Sequence, residues 1–150
     1  MFKQQIDIMN KEYVHGYDYR ENKRLIDQAN TLVDLFHSDT SYPDGSLILE
    51  VGCGVGAQTV MLARNNPNAF FISVDISKNS ITEAQIKLKS NGLKNVQFNC
   101  ADIFNLDSEK ESFDHIFVCH FLEHISKPKE ALDILKRLLK VCGTITVIEG

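Results

Sequence analysis

The sequence predicts an α/β fold: a doubly wound, mostly parallel sheet with helices on both faces. Three observations carry that expectation. The stretch Leu47-Ile48-Leu49-Glu50-Val51-Gly52-Cys53-Gly54-Val55-Gly56 is an apolar run that ends in alternating glycines and opens into a helical pattern through Ala57, Val60, Met61, Leu62 and Ala63. Further strand-like runs then alternate with segments of helix length, which requires right-handed crossovers and a parallel sheet. Finally, Glu50, the glycines, Asp75, Asp102 and His120 all fall where a strand-like run ends, the edge at which such sheets bind ligands.

Taken in order, residues 1–44 form an N-terminal segment and residues 45–150 the α/β core. Residues 1–10 have weak periodicity. Tyr13, His15, Tyr17 and Tyr19 crowd around Gly16, a composition that either closes over a bound planar group or pins the terminus to the body. Leu25, Ala29, Leu32, Val33 and Phe36 recur at helical spacing, and Ser41-Tyr42-Pro43-Asp44-Gly45 turns the chain into the first strand. The helix from Ala57 stops near Asn65-Asn66-Pro67. Phe70–Ile76 is the second strand; Ser77 caps a helix carrying Ile81, Ala84, Ile86 and Leu88, which stops at Asn91-Gly92. Val96–Cys100 and His115–Cys119 are the third and fourth strands. Pro128 opens a helix with Ala131, Leu132, Leu135, Leu138 and Leu139 inward; Gly143 closes it, and Thr144–Ile148 is the fifth strand.

Composition narrows the function. A chain of 150 residues, 43% hydrophobic, fits one domain with a real core. Its net charge is −4 with acids and bases interleaved, which excludes the basic stripe of a nucleic-acid binder. Cys53, Cys100, Cys119 and Cys142 show neither a C-x-x-C pair nor metal-ligand spacing, so they read as free thiols in a reducing compartment, and no metal is expected. With no apolar signal core and no membrane-length apolar run, the expectation is a soluble cytoplasmic protein without a membrane partner.

Two cofactors compete for the glycine loop. Gly52, Gly54 and Ala57 match the G-x-G-x-x-G/A spacing of a dinucleotide site. The same stretch also reads Glu50-x-Gly52-x-Gly54-x-Gly56, with a carboxylate in the last turn of the strand. An acid there suits a ligand with an ammonium group better than a pyrophosphate, and S-adenosylmethionine (SAM) carries an ammonium group. The stretch resembles motif I of the class I SAM-dependent methyltransferases, whose Rossmann-like core is similar to residues 45–149 in the order of its signals.

The resemblance implies a site. Glu50, Gly52, Cys53, Gly54 and Gly56 would form the cofactor loop. Asp75 would hold the ribose hydroxyls, and Ala101-Asp102-Ile103 would meet the adenine edge, with Ile76 and Ile103 walling the ring. Cys119 would stand where strand four meets the cofactor. Tyr13, in a segment similar to the lid of small-molecule methyltransferases, would close over it. His120 and His124 are the candidate bases, because imidazole titrates near neutral pH; Glu123 reads as a solvated or capping acid. The implied function is methyl transfer from SAM to a small-molecule acceptor. The alternatives are an NAD(P)-dependent oxidoreductase and a SAM-binding domain without catalysis. Two departures accompany the resemblance. The last two strands of the family's sheet are missing, which implies a truncated core or self-association through the open edge of strand five. The Asn/Asp-Pro-Pro-aromatic signature of amino-methylating nucleic-acid enzymes is also absent after strand four.

Overall fold

The structure, a computed structural model, describes residues 40–106 and 108–149 together with Thr31 and His37. Thr31 and His37 are helical. The remainder of the N-terminal segment, including Tyr13 and most of the expected first helix, lies outside the described residues.

The core runs β1 (Leu47–Val51), α1 (Ala57–Asn65), β2 (Phe70–Asp75), α2 (Lys78–Ser90), β3 (Val96–Cys100), β4 (Phe113–Cys119), α3 (Pro128–Leu138) and β5 (Leu139–Ile148). Single 3-10 turns occupy Ile103–Asn105 and Leu122–His124. The sheet order is β3-β2-β1-β4-β5 and every pairing is parallel. The expected doubly wound architecture is therefore present, with the winding reversed between β1 and β4. β1 is covered on both faces, which is why its sequence is apolar without alternation. Leu49 and Val51 join Val74, Ile116, Val118 and the α3 residues Leu135 and Leu138 on one side. Ile48 joins Leu62, Phe71 and Phe117 on the other.

Local chemistry sets most of the boundaries. The Ser77 hydroxyl accepts from the Ser80 N–H at 3.2 Å and caps α2. Asn66 ends α1 with a buried side chain that accepts from the Tyr42 N–H at 2.7 Å and donates to the carbonyls of Thr40 and Leu62 at 3.0 and 2.9 Å. Ile81, Ala84 and Leu88 form the buried stripe of α2, whereas Ile86 is 65% exposed. At about 100° per residue, position 86 falls on the far side of that helix.

The end of α3 corrects the expected boundary. The helix stops at Leu138 and β5 begins at Leu139, well before Gly143. Its last carbonyls need no glycine stop, because the N–H groups of Glu111 and Ser112 donate to Arg137 and Leu138 at 3.1 and 2.9 Å. Leu139 pairs with Phe113, the register then breaks, and His115 pairs with Thr144. Cys142 sits in that irregular stretch at φ 66°. Among the described residues β5 pairs with β4 alone, and Ile145 and Val147 are about two-fifths exposed.

Asp114 fastens the amino ends of three strands. Its carboxylate accepts from the Leu47 N–H at 2.8 Å and from Lys140 Nζ at 2.9 Å. The Leu47 N–H first, then Lys140, hold the Asp114 carboxyl below its ordinary 3.8. A carboxyl with a lowered folded value adds stability above its unfolded value and loses it as pH falls. Asp114→Ala is expected to lower the unfolding free energy at pH 7 by about 1–2 kcal/mol and to flatten the acid limb of the stability profile. Denaturant melts of both proteins from pH 3 to pH 7 check this; parallel profiles would show that the clamp contributes nothing.

Candidate cofactor and active site

The turn after β1 is built from left-handed backbone: Gly52, Gly54 and Gly56 have φ 73°, 52° and 75°. The N–H groups of Gly52 and Cys53 both donate to the Val74 carbonyl, at 2.9 and 3.1 Å, tying the turn to β2. Gly56 is the N-cap of α1, and no side chain caps that helix. Its first-turn N–H groups are thus left for an anionic ligand group. Close approach explains two of the glycines. A Cβ at Gly56 would meet Ala84 Cβ at 2.9 Å, and one at Gly52 would meet the Phe121 ring at 2.7 Å.

Asp75 closes β2 beside this turn. Its carboxylate accepts from the Gly54 N–H at 2.9 Å and from the Ser77 N–H at 2.8 Å. Each oxygen therefore keeps acceptor capacity for a further donor. Asp102 behaves similarly, accepting from the Phe104 N–H at 3.0 Å. Both acids line a cleft of about 500 Å³ at the point where the winding reverses. Gly52, Ile76, Ala101, Ile103, Phe121, His120 and His124 share that lining. Ile76 is 72% exposed while Ile103 is buried, which leaves one apolar side chain standing in solvent at the cleft. Among the described residues no salt bridge engages Asp75 or Asp102. Unpaired acids beside an apolar wall fit a ligand with hydroxyl or amine donors and a planar ring.

Glu50 lies elsewhere. It is 2% exposed, outside the cleft lining, and its Oε2 accepts from the Ser73 hydroxyl at 2.6 Å. Burial pushes its carboxyl up to about 7, opposed by the hydroxyls of Ser73 and Thr59. Cys53 and Cys119 also stay out of the lining. Burial raises both thiols, that of Cys119 to about 11, so neither is a thiolate near neutral pH.

The loop after β4 holds what sequence reading missed. His120 takes a left-handed φ of 48°. Glu123 Oε1 lies 3.4 Å from His120 Nδ1 and 3.6 Å from His124 Nε2, so one carboxylate stands between the two candidate bases. The i,i+3 spacing of His120 and Glu123 was the available signal. Phe121, whose ring lies over Gly52, had none.

A methyltransferase domain family model matches residues 43–150. The chain belongs to that family. As the resemblance implied, the family is that of class I SAM-dependent methyltransferases, and its cofactor is S-adenosylmethionine. An uncharacterized protein of Rickettsia prowazekii is 38% identical over 115 residues, covering 76% of this chain and 20% of that protein. (S)-coclaurine N-methyltransferase of Papaver somniferum is 29% identical over 139 residues, covering 92% of this chain and 39% of that enzyme. Among solved structures, PKMT2 of Rickettsia typhi in complex with AdoHcy superposes with a TM-score of 0.61 at 26% identity, covering 68% of this chain and 20% of that one. The chain thus spans well under half the length of each of these relatives.

The buried Glu50 yields a prediction. An acid with a raised folded value keeps its proton in the folded state after the unfolded chain has lost it. Stability therefore falls as pH rises from the ordinary 4.5 to about 7 and levels off above. Glu50→Gln removes that dependence and is expected to gain, relative to wild type, on the order of 3 kcal/mol between pH 4.5 and pH 8. Chemical denaturation at both pH values measures the difference. A pH-independent gap between the two proteins would show that Glu50 ionises normally.

Proposed function

We propose that this chain is the cofactor-binding core of a cytoplasmic enzyme that moves the methyl group of SAM to a small-molecule acceptor. One observation carries the assignment: unpaired Asp75 and Asp102 flank the exposed Ile76 on one side of a cleft whose other side holds His120 and His124. The acceptor class draws support from the interleaved charge of the chain, and the compartment from its free cysteines. None of the described helices is long and apolar enough to cross a membrane.

When bound, SAM supplies a methyl group already activated by its positive sulfur. The residues of the chain bind and orient. Asp75 would accept from the ribose hydroxyls with the lone pairs its backbone donors leave. Asp102 would accept from the adenine amine, with Ile76 and Ile103 against the ring. The uncapped start of α1 would receive the carboxylate of the cofactor. Holding acceptor and methyl in line contributes up to ~7–11 kcal/mol, so a base matters only for an acceptor that is protonated at neutral pH. His120 and His124 would remove that proton, oriented by Glu123 between them. Over this, the segment around Tyr13 would close and exclude water.

Calorimetry tests the assignment. SAM and its demethylated product should bind, and NAD should not. Asp75→Ala should weaken SAM by about 1.5–3 kcal/mol; binding of NAD in preference to SAM would sink the proposal. For Tyr13, hydrogen exchange across residues 12–19 should slow when SAM is added, and equal exchange with and without ligand would remove the lid.

A further inference from the structure

The loop after β4 is held in place by a residue outside the glycine turn and the strand-end acids. The 3-10 turn Leu122–His124 follows Phe121, which offers no side-chain cap, so its leading N–H groups need acceptors from elsewhere. They find them on Glu149, just beyond β5. Its Oε1 accepts from the N–H groups of Phe121 and Leu122 at 3.2 and 3.0 Å, and its Oε2 accepts from that of Glu123 at 3.3 Å. Strand pairing brings the carboxylate there: the His120 N–H donates to the Ile148 carbonyl at 2.8 Å, which carries the β4–β5 ladder one residue past β4. Charge-assisted bonds to successive amides at the start of a turn are among the stronger local restraints available to an exposed side chain. They act on a backbone that needs restraint, since His120 is held at φ 48° without being glycine.

Of the clamped residues, Phe121 lines the far side of the cleft, together with the flanking His120 and His124. Phe121 lays its ring over Gly52, and Glu123 stands between His120 and His124. Building on the methyl-transfer assignment above, we propose that Glu149 is a positioning residue: by gripping the amides of Phe121, Leu122 and Glu123, it fixes the His120–Glu123–His124 group against the acceptor side of the cleft. Among the described residues Glu149 makes no hydrogen bond to either histidine ring; its charge is felt directly at His120, while its grip on ring position runs through the loop. Its carboxylate takes no part in cofactor binding, which rests on Asp75, Asp102 and the glycine turn.

Ligand-free and ligand-bound measurements on the full chain separate the possibilities. In the ligand-free protein, Glu149→Ala should speed amide exchange at 121–123 at least about tenfold, the factor that corresponds to loss of one to two kcal/mol of hydrogen bonding. It should also shift the NMR titrations of the His120 and His124 rings by more than Glu149→Gln does, since both variants remove the charge that acts directly on His120 and only the alanine removes the acceptors. Glu149→Gln, which keeps one acceptor oxygen, should restore part of the protection. SAM affinity by calorimetry should stay within about threefold of wild type in both variants. Unchanged exchange at 121–123 overturns the clamp. Released amides with the same histidine titrations in Glu149→Ala as in Glu149→Gln reduce Glu149 to a cap and overturn its positioning role, as does a collapse of SAM affinity. Failure of the wild-type chain to bind SAM would instead strike the methyl-transfer assignment, and the ligand-free readouts would still decide the role of Glu149.

Discussion

The ligand edge of this molecule depends on how tightly the chain turns after β1. That strand is hydrogen-bonded to β2 on one side and β4 on the other, so its carboxyl end has no freedom to splay. The backbone must leave it, reach back to the Val74 carbonyl and start α1 within five residues. Left-handed glycines make that turn without strain. The consequences spread outward: the turn presents the Gly54 N–H to Asp75, and Asp75 in turn holds the start of α2 through Ser77. Acid, turn and both following helices are thereby one preorganised unit.

Charge around the cleft is arranged by depth. Asp75 and Asp102 stand at the lining with lone pairs free, Glu123 sits at the rim between histidines, and Glu50 lies beneath the turn bonded to Ser73. A pyrophosphate brought to such a site would meet carboxylates at several distances. A ligand bearing hydroxyls, an amine and positive charge would meet acceptors. This electrostatic asymmetry agrees with the family to which the chain belongs and with its cofactor.

What the sequence disclosed is what local chemistry determines. The glycine turn, Asp75 and Asp102 were legible because strand ends in a parallel sheet share one edge, so their spacing along the chain suffices. The Ser77 cap was legible because its hydrogen bond reaches only three residues along the chain. The stop of α3 was not, because the groups that satisfy its last carbonyls come from Glu111 and Ser112, outside the helix. Leu132 read as inward by its hydrophobicity; the geometry of its helix, which buries Ala131, Leu135 and Leu138, leaves it 38% exposed. Glu50 was legible as an acid near the turn, but not its burial, which depends on Ser73 of the neighbouring strand. Glu149 was invisible, since its role arises only when two strands are laid side by side.

The three glycines of the turn look equivalent in the sequence, yet each answers a different demand. At Gly52 the missing side chain makes room for Phe121, and at Gly56 it makes room for Ala84; at Gly54 a Cβ would meet nothing within 4 Å. Substitutions at the outer two therefore disturb protein against protein, and any loss of ligand affinity there conflates a broken contact with a blocked pocket. Gly54 alone reports on what comes to occupy the turn. An ordinary alanine there is strained by the left-handed backbone but clears the rest of the protein, so its methyl would serve as a ruler for the nearest atom of whatever the cleft receives.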